Sequence, residues 1–226
     1  MNKKEIENLF YIKKDYSKIK ELLKNSEESW SFVILGKIFL KELDVQSAYK
    51  YFLKAGKMFE CGYCKFISGN LSEAKSILSP IKEKYPNANW VLFLINLVQD
   101  KVSNIYPTYF QIRNFYEQDI EMLFKLGQHE IIEKIIGKIS CFEVFNKEIY
   151  KYTARVLYNN NYNSQAEKFL KKSLEIYYKD PETHYLLGEL YLKENKKYLA
   201  KQEFIKADEV NQGYIPAVVK LKEIIN

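Results

Sequence analysis

Cys61 and Cys64 form a Cys-x-x-Cys pair, a spacing that can hold zinc, though Cys61 also occupies a packing position of the chain's repeating pattern. Zinc would need a second ligand pair at matching distance. The remaining candidates, Cys141, His129 and His184, are scattered singly along the chain. His129 is followed by Glu130 and Glu133 but by no second histidine four residues on, so a His-Glu-x-x-His centre is not formed. Gly-rich phosphate loops and a Gly-x-Ser-x-Gly elbow are missing. The expectation is a chain with no metal, no cofactor and no catalytic residues, and therefore not an enzyme. The most suggestive stripe is Lys151, Arg155 and Asn159. Spaced by four, they put three donors on one helix face, where they could hold a carboxylate or the backbone of an acidic peptide.

The elements that must position these residues are helical. Hydrophobic residues make up 47% of the chain and charged residues 28%, the balance of a folded domain rather than of a disordered chain. The apolar run from Trp90 to Val98 is broken by Asn96 and is too short to cross a bilayer, which takes about 20 residues. No apolar signal core follows the N-terminal Met-Asn-Lys-Lys, and an odd, small set of cysteines fits a reducing compartment, so a cytoplasmic location is expected. The net charge of +6 is spread along the chain without a basic arm or acidic tail, which describes a mixed, solvated surface with a mild preference for acidic partners.

Two segments 152 residues apart share one spaced pattern. The first is Leu35-Gly36, Phe39, Ala48, Phe52 and Ala55; the second is Leu187-Gly188, Tyr191, Ala200, Phe204 and Ala207. Steps of three and four keep residues on one helical face, and the step of nine crosses a turn into a second helix. Gly and Ala fall where antiparallel helices must approach closely, and the large residues fill the space between pairs. Weaker copies start at Cys61-Gly62 (with Ala74 and Leu78), at Thr153-Ala154 (with Ala166 and Leu170), and around Phe10, Asn96 and Ile120. Pro86 and Asp180-Pro181 punctuate the series, Pro107 is placed to open a helix, and Ser72 and Asn146 are placed to cap helices.

This Leu-Gly, aromatic, Ala, aromatic, Ala series resembles the tetratricopeptide repeat, a helix pair of about 34 residues. The resemblance implies an all-α fold: a right-handed α-solenoid of antiparallel helix pairs. It would be one repeat domain over 1–226, clearest at 29–56, 57–86, 147–180 and 181–213. The middle, 88–146, would be irregular, and a terminal helix over 214–226 would cap the array. It further implies a non-enzymatic scaffold or adaptor that holds a peptide or partner domain in a concave groove. By helical phase, the groove candidates are Val33, Lys37 and Leu40 in an early pair, Lys151, Arg155 and Asn159 in a later one, and Tyr185, Glu189 and Leu192 in the next. Some members clamp a terminal carboxylate with Lys, Asn and Arg. Here Arg155 stands where that clamp has Asn, and the neighbouring repeats offer Glu189 and Lys37, so the clamp is incomplete. The alternative is a nucleic-acid-binding helical repeat protein, drawing on the basic charge and on Tyr106, Tyr109, Phe110, Arg113 and Tyr116 as stacking residues; nucleic acid is the disfavoured partner. Self-association through exposed repeat ends is a further expectation.

Overall fold

The computed structural model describes residues 3–225, and the described residues contain helices and no strand. They divide into two compact units, one running to Tyr106 and including Lys125–Ile131, the other holding Pro107–Phe124 and everything from Ile132 onward.

The first unit opens with α1 (Lys3–Asn8), a five-residue π-helical turn (Leu9–Lys13) and α2 (Tyr16–Leu23). Two antiparallel pairs follow, α3 (Ser29–Lys41) with α4 (Val45–Lys54) and α5 (Met58–Ile67) with α6 (Leu71–Leu78), and then α7 (Pro86–Val98). Ile6, Leu9, Phe10, Ile19, Leu23, Ile34, Leu35 and Ile38 form one buried cluster of this unit. Asp15 and Asp44 accept hydrogen bonds from the backbone N–H of Lys18 and Ser47 and so cap α2 and α4. Pro86 occupies the first turn of α7, where its missing N–H is harmless.

The second unit holds most of α8 (Tyr109–Lys125), the later part of α9 (His129–Gly137), the short α10 (Ser140–Glu143) and two regular pairs. These are α11 (Ile149–Asn159) with α12 (Asn163–Ile176) and α13 (Pro181–Lys193) with α14 (Lys197–Val210); the single helix α15 (Ile215–Ile225) ends the series. Pro107 does not sit in the first turn of α8. Thr108 and Gln111 start that helix as a reciprocal capping box: each side chain accepts a hydrogen bond from the other's backbone N–H, at 3.2 and 2.9 Å. Asn146 and Asp180 accept from the N–H groups of Glu148 and Glu182, whereas Ser72 lies inside α6, which Asn70 precedes.

The small residues of the pattern sit where close approach requires them. A Cβ placed on Gly36 would lie 2.7 Å from the Phe52 ring, one on Gly62 2.5 Å from Leu78, and one on Gly188 2.5 Å from Phe204. The turn inside each pair is also stereotyped. Leu43, Gly69, Asn161 and Asn195, each seven residues after Gly36, Gly62, Ala154 and Gly188, have left-handed backbones with φ between 59° and 82°. The following residue then donates its N–H to the carbonyl five residues back, as in Asp44 to Phe39, Asn70 to Lys65, Tyr162 to Leu157 and Lys196 to Tyr191. This is the Schellman closure of a helix end, and it needs one residue in the left-handed region. Lys14 and Gly127 hold the same place in two irregular copies, at φ 54° and 68°. The copy around Asn96 breaks the rule: its left-handed residue is Asp100, not position 103.

Candidate functional site

The donor stripe chosen from sequence lies on α11 in the second unit, and the structure supplies its partners. Lys151 is buried, and its ammonium donates to Asp180 at 2.9 Å and Glu148 at 3.0 Å, with Glu182 at 3.1 Å. Burial alone would lower the Lys151 pKa, but the hydrogen bonds and charges of Asp180 and Glu148, with the charge of Glu182, outweigh it and raise it. Burial pushes the Asp180 carboxyl up, yet hydrogen bonds from Thr183 and Lys151 hold it below the usual carboxylate range. Arg155 makes a two-pronged contact with Glu117 of α8 at 2.9 and 3.1 Å and reaches Glu182 of α13 at 2.5 Å. Asn159 donates to Glu121 at 3.0 Å.

These three donors are therefore the links that tie α8, α11 and α13 together, and none of them is left pointing at an absent acidic ligand. The stripe brings five carboxylates, those of Glu117, Glu121, Glu148, Asp180 and Glu182, around two cations. Burial, and then the like charges of Glu182 and Glu121, push the Glu117 carboxyl above its ordinary range even though Arg155 opposes them. Sequence reading missed the acidic side of the stripe. Glu117 and Glu121 lie 38 residues before their partners, in a copy too irregular for its register to be read.

The candidates on α13 line up beside this network. Tyr185 is half-buried, with its ring 5.7 Å from Phe204 and 6.1 Å from Tyr214. Glu189 faces Lys220 of α15 at 3.5 Å, and Leu192 packs against the core of the unit with part of its surface open. In the first unit, Val33, Lys37 and Leu40 each stay partly exposed on α3.

The recurring contact of a bare glycine with a large side chain on the next helix, closed each time by a left-handed turn seven residues on, decides the architecture. Its helix pairs resemble tetratricopeptide repeats. No protein-family model matches the chain, and no curated protein matches it. Among solved structures, the chain is similar to the crystal structure of the APC/C hetero-tetramer Cut9–Hcn1, with 14% identity and a TM-score of 0.42 over 98% of this chain and 48% of that one. It is also similar to YrrB, a TPR protein with an unusual peptide-binding site (13% identity, TM-score 0.37, 90% of this chain and 97% of that one). A third similar structure is TTC0263, a thermophilic TPR protein of Thermus thermophilus (16%, 0.37, 88% and 99%). The chain thus spans about half the length of the Cut9–Hcn1 chain.

The packing of these helix pairs also accounts for the remaining reactive side chains. Cys61 and Cys64 are buried in α5, and burial pushes their thiols up to about 11 and about 12, the reverse of what a metal ligand or redox thiol needs. His184 is buried as a packing residue of α13, but it is also polar-bonded. Its Nε2 lies 3.0 Å from the Tyr178 carbonyl oxygen and its Nδ1 2.7 Å from Glu203 on α14. Burial pushes the Glu203 carboxyl up, and the hydrogen bonds of His184 and Lys206 bring it below the usual range. His129 is exposed at the start of α9. Among the described residues no helix is long and apolar enough to cross a membrane.

Proposed function

We propose that this chain is a non-enzymatic scaffold that holds a peptide or partner domain along the first-helix face of its second unit, on α11 and α13. The observation that supports it is the network of Lys151, Arg155 and Asn159 with Glu117, Glu121, Asp180 and Glu182. Every polar side chain in that row is fixed by a neighbouring helix before any partner arrives, so little rotamer entropy is lost on binding. Beside the row, Tyr185, Glu189 and Leu192 keep open surface and are the contacts assigned here; Val33, Lys37 and Leu40 are the equivalent contacts of the first unit. Tyrosine and leucine next to rigid charge suit a protein surface. Lys151 and Arg155 act in this reading as positioning residues. A reducing, cytoplasmic setting belongs to the same proposal, since Cys61, Cys64 and Cys141 are all free thiols.

The test is to recover the full tagged chain from its native lysate with and without nuclease, alongside a Glu189→Lys, Asn159→Lys variant of unchanged melting temperature. The proposal predicts a nuclease-resistant protein that the variant fails to retain. A signal carried wholly by nucleic acid would overturn it.

A further inference from the structure

The first unit carries an aromatic row flanked by lysines. The rings of Phe39 on α3 and Tyr51 on α4 stack at 5.3 Å with an interplanar angle of 7°, and Phe32 lies 6.2 Å from Tyr51. Lys20 of α2 sits 5.5 Å over Phe39, and Lys54 sits 5.6 Å over both Tyr51 and Phe32. Beside this row is a cleft of about 450 Å³ lined by Phe39, Ser47, Lys50, Tyr51, Leu53 and Lys54, with Leu53 half exposed at its edge.

The charges of the cleft do not balance. Lys20 is neutralised by Glu42 at 2.7 Å, and Asp44 is engaged by Ser47 as the cap of α4, feeling the Lys50 charge only as a weaker influence without an ion pair. Lys50 and Lys54 form no ion pair with any carboxylate of the described residues, and both are exposed. We infer that this cleft docks an acidic peptide segment, with an aliphatic side chain against Leu53 and the ring edges and carboxylates on Lys50 and Lys54. The aromatic row also decides against a nucleobase. Phe39 and Tyr51 cover each other, and each has an ammonium group over it, so neither ring offers the open face that base stacking needs. An ammonium over an aromatic ring still has N–H groups free to bind a carboxylate, and the ring holds it in place. This site is separate from the α11–α13 face and does not depend on it.

The test uses the full chain and a labelled synthetic peptide of alternating Asp and Leu, followed by fluorescence anisotropy. The comparison ligands are the same peptide with Lys in place of Asp and an oligo-dT strand. The Asp-Leu peptide is expected to bind, and Lys50→Glu, Lys54→Glu to weaken it about tenfold or more. A charge-matched control, Lys171→Glu, Lys172→Glu on α12, should leave its affinity unchanged. If the reversed pair perturbs the fold, Lys50→Gln, Lys54→Gln gives the same reading with smaller disturbance. Equal weakening by the α12 control, binding that ignores Lys50 and Lys54, no binding at all, or lysine-dependent binding of oligo-dT alone would each overturn the inference.

Discussion

Gly188 on α13 presses directly against the ring of Phe204 on α14, so closely that a Cβ at position 188 would come within 2.5 Å of Phe204 Cε1. In an open helix, Gly→Ala stabilises by about 1 kcal/mol. Here the sign should reverse: Gly188→Ala should cost about 1–3 kcal/mol by overpacking a rigid ring. Phe204→Leu in the same chain should recover part of that loss, which a double-mutant cycle of urea midpoints measures. Gly137, with open space around its Cβ position, is the control: Gly137→Ala should not destabilise by this route.

Leu43 closes the α3–α4 turn at φ 64° although it carries a β-carbon. The left-handed region costs such a residue about 1–2 kcal/mol. Leu43 is partly exposed, so Leu43→Gly should raise stability by about 0.5–1 kcal/mol, checked by thermal melting.

Lys151 joins Asp180, Glu148 and Glu182 from within the second unit. Lys151→Met removes the cation but leaves Asp180 half-buried with only neutral partners, the Thr183 hydroxyl and the Glu182 N–H, and should cost about 3–5 kcal/mol. Arg155→Met should cost less, because the contacts of Arg155 are more exposed.

The same network, together with Glu203 beside His184 and Lys206, sets a pH window. Asp180, Glu148 and Glu203 have carboxyls held below their ordinary values, so their contribution is present above the usual carboxylate range and is lost as pH falls through the depressed values. The raised pKa of Lys151 works in the other direction: its contribution is present below the ordinary lysine value of 10.5 and is lost as pH rises beyond it. Glu117, raised by burial, opposes the acid loss. Urea midpoints should therefore fall in acid below about pH 4 and again in strong alkali, and Asp180→Asn should flatten the acid limb.

The helix pairs were legible because spacing alone carries them: Gly36 with Phe52 and Gly188 with Phe204 repeat at identical steps. The left-handed turn residues were not. Asn161 and Asn195 are of a type that tolerates the left-handed region, but Leu43 is not, and the Schellman hydrogen bonds reveal the role that all three share. The stripe Lys151, Arg155, Asn159 was visible as a periodic set of donors. Its partners were not, because ion pairs across helices depend on the stagger between repeats, and α8 follows no regular repeat interval. Pro107 pointed to the right region for the start of α8, but the reciprocal hydrogen bonds of Thr108 and Gln111 set the boundary.

The most direct measurement of the scaffold proposal is hydrogen–deuterium exchange on the full chain, free and with the nuclease-resistant partner bound. Added protection centred on α11 and α13, strongest around Tyr185, Glu189 and Leu192, is the predicted result. Protection confined to α12 and α14, with α13 unchanged, would contradict it.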